Sequence, residues 1–341
     1  MKKLLLGFVI ITFILSCTNT EKQVSSSLEH QVDSLVQPYL VYRGNEKLLL
    51  KSYGYADLEW DVALPVNASF EIGSVTKQFT GASILLLVEQ GKLSLDDDMT
   101  KYITYNTDGR TITIRQLLSH SSGIKSYTGL PFFQYFAQQN HKRDTLLRLV
   151  EKEGFDFEPG EMLHYNNTAF FILGLIIEKV SGVSYEEFVK TNLFDKAGMT
   201  NSYYCSESKI IKNKAHGYDT GEDGLVNAAY LDQTWPYAAG SLCSTVEDLV
   251  KWNAALHNGK ILSDESYKEF LTPVSLNDGT VSHYAKGITV TDWNGRKMLE
   301  HGGGIYGFLS ENCYYPDEDL SIVVLANTTG PVSPSDVAGE I

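Results

Sequence analysis

The strongest constraint on the fold is a change of hydrophobic period along the chain, strand-like at both ends and helix-like between them. Near the start, Tyr39–Arg43 and Lys47–Gly54 flank Gly44-Asn45, a pair suited to a tight hairpin turn. Near the end, Gly287–Trp293 and Arg296–His301 flank Asn294-Gly295, the strongest short hairpin signal in the sequence. Tyr306–Tyr315 and Leu320–Asn327 continue as strands joined by Asp317-Glu318-Asp319. Between these ends, apolar spacing predicts helices over Thr113–Ser119, Thr145–Glu153, Asn167–Val180, Tyr185–Asp195 and Thr245–His257. A Gly- and Tyr-rich loop, Gly217 to Gly240, separates the last two. The pattern predicts an α/β (α+β) fold: one antiparallel sheet built from both ends, flanked by helices, with a helical subdomain inserted at about residues 100–245. At 341 residues the chain is long enough to bury a sizeable core, and residues 31–341 read as a single unit.

The first residues carry a different message. Met1-Lys2-Lys3 is a positive start, Leu4 to Leu15 an apolar run too short for a resident membrane span, and Ser16-Cys17 follows at once. Residues 1–16 are therefore predicted to be an export signal. A small residue followed by Cys resembles a bacterial lipobox, which makes Cys17 the expected lipidation site and residues 17–30 a polar tether. The expected location is the bacterial cell envelope, with the chain held to the membrane through its lipid. With 28 Lys+Arg against 42 Asp+Glu the net charge is −14, which repels nucleic acid. Cys205, Cys243 and Cys313 fit no metal or disulfide framework by spacing. They read mainly as small buried apolar residues, although one pair is free to bridge in an oxidising envelope. No histidines show zinc-ligand spacing, so neither a metal nor another cofactor is expected.

Three short motifs carry chemistry. Ser74-Val75-Thr76-Lys77 opens an apolar-rich helix that Gly91 stops. Its spacing puts a hydroxyl and an amine on one helix face, about 4.5 Å apart along the axis. A serine needs a neighbouring base to become nucleophilic, and a lysine serves when burial or a helix N-terminus lowers its pKa. The same turn offers the Ser74 backbone N–H to a developing oxyanion. Ser122-Gly-Ile-Lys125 and Ser206-Glu-Ser-Lys209 repeat the spacing, but neither opens an amphipathic helix. In Tyr165-Asn166-Asn167 a phenol beside an ammonium is expected to titrate low and shuttle protons, while Asn167 orients substrate or Lys77. In His301-Gly302-Gly303-Gly304 the glycines let a substrate backbone come close, and Gly304 N–H completes the oxyanion hole. H-G-G-G also occurs in α/β-hydrolases, but that fold needs a G-x-S-x-G elbow and this chain has none.

Taken in order, Ser-x-x-Lys, Tyr-x-Asn and His-Gly-Gly resemble the serine β-lactamase-related family, whose members include class C β-lactamases, D-Ala-D-Ala carboxypeptidases, D-aminopeptidases and esterases. The resemblance extends from about Tyr53 to Asn327. It includes Phe70–Thr80, Leu117-Leu-Ser-His-Ser-Ser-Gly123, Glu158-Pro-Gly160 and Ala239-Gly240 before Ser244-Thr245. It implies a β-lactamase/transpeptidase-like fold, acylation of Ser74 with Lys77 as base, and proton transfer through Tyr165. It also implies substrate contacts from Asn167, His301, Gly302 and Gly303, and an oxyanion hole from Ser74 and Gly304. His301 stands where the family usually has a lysine, which favours ester or D-amino-acid amide substrates over β-lactams. The alternatives are a β-lactamase or carboxypeptidase, and a non-catalytic peptidoglycan-binding lipoprotein. The chain ends at Ser335–Ile341, where the family usually has a longer helix, and this predicts apolar sheet surface left uncovered. His120 is expected to be structural, His164 an exposed loop residue, and Asp96-Asp97-Asp98 a solvated turn. Tyr127, Trp235 and Tyr237 are candidates for the pocket rim.

Overall fold

The computed structural model describes residues 39–206, 208–330 and 332–341; the expected signal, tether and Cys17 lie outside them. The main sheet has six strands: β1 (Tyr39–Arg43), β2 (Glu46–Lys51), β3 (Thr289–Trp293), β4 (Arg296–Ile305), β5 (Phe308–Tyr315) and β6 (Leu320–Ala326). Their spatial order is β3-β4-β5-β6-β1-β2, antiparallel throughout, so β1 from the front of the chain closes onto β6 from its end. Asn294 and Gly295 both have positive φ (54° and 79°), the conformation that the two-residue turn between β3 and β4 requires.

Strand alternation divides the sheet's side chains between two faces. Leu40, Tyr314, Val323 and Leu325 join the main core, beneath the helices. Val41, Cys313, Ile322 and Val324 face the other way, where helix Pro334–Glu340 covers them with Val337 and Ala338. The core helix, α1 (Thr76–Glu89), is buried on every side, so its position is fixed by packing rather than by a single apolar stripe. A buried polar network also ties it down. Gln78 Oε1 accepts from Trp252 Nε1 and from Asn312 Nδ2, both at 3.0 Å, linking α1 to helix Val246–His257 and to β5. Every polar atom left unpaired there would cost about 1–3 kcal/mol, so the network fixes the register of α1 over the sheet.

The middle of the chain is helix-rich, and its longest helix, α2 (Asn167–Ser181), packs against α1. Asn166 caps α2 by accepting from Ala169 N–H at 2.8 Å, and Gly182 ends it at φ 78°. A small three-stranded sheet, Phe70–Glu71 with Leu242–Ser244 and Tyr203–Tyr204, brings the residues before Ser74 against the Ala239-Gly240 turn. Of the two readings left open for the cysteines, the bridged one holds for one pair. Cys205 and Cys243 are bonded to each other, with Cα atoms 5.3 Å apart, whereas Cys313 remains a buried free thiol. The pairing of Tyr203 with Cys243 on neighbouring strands brings Cys205 alongside, a proximity that a separation of 38 residues does not reveal.

Candidate active site

Ser74 lies in a single 3₁₀ turn, Gly73–Val75, just before α1. From Ala68 to Leu87 it is the only residue that is not buried. A chain otherwise committed to the core thus presents one hydroxyl at the surface of a cleft. The cleft holds about 300 Å³ and has Ser74, Asn167, Tyr127 and Gly304 in its wall.

Lys77 is fully buried beneath it. Its Nζ lies 3.0 Å from Ser74 Oγ, 2.8 Å from Asn167 Oδ1 and 2.8 Å from the Ala239 carbonyl. Burial holds the Lys77 pKa well below the usual lysine range, which favours the neutral amine. A neutral amine has two N–H donors and one lone pair. Asn167 Oδ1 and the Ala239 carbonyl can only accept, so both N–H groups go to them, and the lone pair is left facing the Ser74 hydroxyl. The other two Ser-x-x-Lys sites lack this arrangement: Lys125 pairs with Asp156, and Lys209 pairs with Glu186 at 3.0 Å.

Tyr165 neighbours Ser74, and Lys77 Nζ stands 4.8 Å from the centre of its ring. The expectation of a low-titrating phenol is reversed. Although 38 % of Tyr165 remains exposed, its surroundings are dense, and burial raises its pKa, opposed only by the Ser74 contact. Burial of both groups favours the protonated phenol beside a neutral amine. His120 supports it from behind, with ring centres 4.4 Å apart, and His120 Nδ1 accepts from Asn166 N–H at 3.0 Å.

His301 is 6 % exposed, and both of its ring nitrogens are engaged. Nδ1–H donates to the Gly302 carbonyl at 2.6 Å, which leaves Nε2 to accept from the Tyr284 hydroxyl at 3.0 Å. Burial lowers its pKa to about 3, so the imidazole is neutral. The expected substrate contact from this ring is corrected: neither nitrogen is free to make one. Tyr284, which fixes the tautomer, lies in no motif that sequence reading singled out.

The glycines are corrected as well. A Cβ on Gly303 would lie 2.2 Å from the Ile72 carbonyl and 2.3 Å from Ser310 Oγ, so its bareness lets β4 close onto the Ser74 turn rather than onto substrate. A Cβ on Gly302 would meet Glu311 Oε2 at 3.0 Å, also within the protein. Gly304 differs, because it lines the cleft and its nearest contact would be Leu309 at 3.5 Å. Ile305 and Phe308 close the two-residue turn, and pairing alternates from there, so Gly304–Leu309 is a non-hydrogen-bonded pair. β3 pairs with β4 only as far as Glu300, so Gly304 N–H faces an open edge. The turn of Ser74 abuts it: a Cβ on Gly73 would lie 3.0 Å from Gly304 N. Two backbone N–H groups thus converge where an oxyanion would form. Of the expected rim aromatics, Tyr127 lines the cleft, whereas Trp235 and Tyr237 are fully buried and belong to the core.

Comparison with known proteins agrees with this geometry. The profile of the Beta-lactamase family matches residues 29–340. Penicillin-binding protein 4* of Bacillus subtilis (strain 168) is 30 % identical over 315 residues, covering 88 % of this chain and 69 % of its own. The chain spans about two thirds of the length of the curated relatives it matches. Among solved structures, a penicillin binding protein from Bacillus halodurans superposes with a TM-score of 0.80 at 28 % identity, over 91 % of this chain and 97 % of that one. A D-amino acid amidase from Ochrobactrum anthropi SV3, complexed with D-phenylalanine, shares the fold at 22 % identity, with a TM-score of 0.79 over 94 % and 97 % of the two chains. The chain belongs to the beta-lactamase family and is a serine hydrolase of the β-lactamase and penicillin-binding protein superfamily.

Proposed function

We propose that Ser74 is acylated by ester or amide donors that carry no carboxylate beside the scissile bond, which makes the protein an esterase or D-amino-acid amidase. The observation that carries this reading is the Lys77 amine, whose two acceptors leave only its lone pair for the Ser74 hydroxyl, 3.0 Å away. In the acylation step Ser74 Oγ bonds to the substrate carbonyl carbon and its proton passes to Lys77. The carbonyl electrons move to the oxygen, which the N–H groups of Ser74 and Gly304 receive. Collapse of this intermediate breaks the bond to the leaving group, which takes a proton from Tyr165, and Lys77 reprotonates the phenol. Water then repeats the sequence on the acyl-enzyme with the same groups reversed.

The preference against β-lactams and D-Ala-D-Ala peptides rests on charge. His301 is neutral and engaged, and no Lys, Arg or His is among the described residues lining the cleft. The D-amino acid amidase with this fold is consistent with that choice. The test is intact-mass analysis with a panel of p-nitrophenyl esters, D-amino-acid amides and a chromogenic cephalosporin. One acyl adduct per chain, absent in Ser74→Ala, is the expected result. Adducts that persist in Ser74→Ala refute the assignment, and a cephalosporin that outperforms the esters and amides refutes the substrate class. We also place the chain in the bacterial envelope on a lipid attached to Cys17, because the signal and Ser16-Cys17 adjoin. Alkyne-palmitate labelling that persists in Cys17→Ala would refute this.

A further inference from the structure

We propose that Asp219 selects acyl donors bearing a primary ammonium on the acyl side of the scissile bond, that is, amino-acid or peptidyl amides and esters with a free amino terminus. The inference rests on the acylation of Ser74 proposed above and narrows its substrate. Among the described residues lining the cleft that holds Ser74 and Gly304, Asp219 is the only one with an ionisable carboxyl, and none is a cation. Tyr127, Phe133, Leu231 and Leu309 make the rest of the wall largely apolar. An anion in an otherwise uncharged wall gives the cleft a preference for a cationic group on the ligand.

Asp219 is also held in place. Its Oδ1 accepts from Gly307 N–H and from the Thr329 hydroxyl, both at 3.0 Å. Among the described residues no hydrogen bond reaches Oδ2, so that oxygen is available to the cleft. The residue lies on strand Tyr218–Gly221, which Tyr218 ties to the segment after β6 through backbone bonds with Asn327 and Thr329, each at 3.0 Å. An aspartate fixed at one oxygen and open at the other is suited to receive an ammonium.

Position along β4 decides which part of the substrate meets it. His301 begins the glycine stretch on the Tyr165 side, with ring centres 6.2 Å apart, and Tyr165 protonates the leaving group. Gly304 to Gly307 lead the opposite way, toward Asp219. The acyl portion therefore points at the carboxylate. Gly304 and Asp219 line the same cleft, and Gly307, in the turn three residues beyond Gly304, donates to Asp219.

The test compares D- and L-phenylalanine p-nitroanilide with 3-phenylpropionyl p-nitroanilide, which lacks only the amine, in wild type and Asp219→Asn. Asparagine retains an oxygen for Gly307 and Thr329. Wild type is expected to prefer the amine-bearing substrate at least tenfold in kcat/KM, and the ratio is expected to fall toward one in Asp219→Asn. The wild-type preference is also expected to fade as pH rises through the substrate's own amine, about 7.7–8. No preference in wild type, or an equal loss on both substrates in Asp219→Asn, overturns the proposal. A binding arm separates it from the hydrolase reading. In Ser74→Ala, calorimetry is expected to show D-phenylalaninamide binding at least tenfold tighter than 3-phenylpropionamide, and equal affinities overturn the role of Asp219. Turnover that survives Ser74→Ala while the binding preference holds refutes the nucleophile assignment and leaves Asp219 standing.

Discussion

Gly303→Ala is the substitution whose effect follows most directly from the packing. Its Cβ would lie 2.2 Å from the Ile72 carbonyl, 2.3 Å from Ser310 Oγ and 3.1 Å from Ser74 N. Ordinary contact is over 3 Å, so β4 and the nucleophile's turn must separate by about 1 Å. Neither can yield cheaply: Ser310 Oγ already donates to the Ile72 carbonyl at 2.9 Å, and β4 is held by β5. Overpacking of this kind costs about 1–3 kcal/mol, which for a chain of this size lowers Tm by about 1.5–5 °C. The larger effect is expected on rate. Separating Ser74 N–H from Gly304 N–H by about 1 Å is expected to slow acylation about 100-fold. The assay pairs thermal unfolding with second-order rates of fluorophosphonate labelling for Gly302→Ala, Gly303→Ala and Gly304→Ala. Gly304→Ala is expected to keep wild-type Tm, since its nearest contact is an ordinary 3.5 Å. Gly302→Ala is expected to fall between, because it meets only the end of the Glu311 side chain, at 3.0 Å, and no backbone within 3.5 Å. Wild-type labelling and Tm in Gly303→Ala, or a larger loss in Gly304→Ala, would refute the reasoning.

Tyr165→Phe is expected to slow anilide and amide turnover about 10²–10³-fold while sparing p-nitrophenyl esters, whose leaving group needs no proton. An equal loss on both classes would rule out the leaving-group role. Cys205→Ser is expected to lower stability by about 2–4 kcal/mol, since the bond closes a loop of 38 residues, and an unchanged urea midpoint would contradict that. The third concerns Glu311, buried beside Glu300 on the face away from the cleft, where burial first and Glu300 second raise its pKa to about 8. In the unfolded chain it ionises near 4.5, so between about 4.5 and 8 the folded state holds the extra proton and stability falls as pH rises, by at most about 1.4 kcal/mol per unit. Glu311→Gln is expected to flatten that slope in denaturation series, and an unchanged slope would sink the claim.

What sequence alone made legible was local. Ser74 and Lys77 are three residues apart, and helical geometry brings them together without any long-range contact. Asn294-Gly295 needs positive φ, and few residue pairs accept it twice in succession. Tyr165 and His301 stood in motifs of their own, but only the family resemblance joined them to Ser74, because 91 and 227 residues of chain separate them from it. The misjudged features all depend on burial or tertiary contact. Tyr165 was expected to titrate low beside a charged lysine, but Lys77 is enclosed on every side and favours the neutral form. His301 looked like a weak substitute for a cation until Tyr284, from a stretch without a motif, took its second nitrogen. Gly303 looked like room for substrate, and the room is filled by the Ile72 carbonyl. Asp219 gave no signal at all, since one aspartate in a Gly- and Tyr-rich loop is unremarkable until the loop folds over the nucleophile's cleft.

The central claim is that a buried, uncharged Lys77 amine takes the Ser74 proton, and the pH dependence of Ser74 acylation measures it most directly. With a fluorophosphonate probe under single-turnover conditions, the rate is expected to level off well below pH 10.5, the ordinary lysine value. Lys77→Met is expected to abolish that plateau. A wild-type rate still climbing tenfold per unit through about pH 9–10, or a Lys77→Met protein that keeps the wild-type profile, would contradict the account.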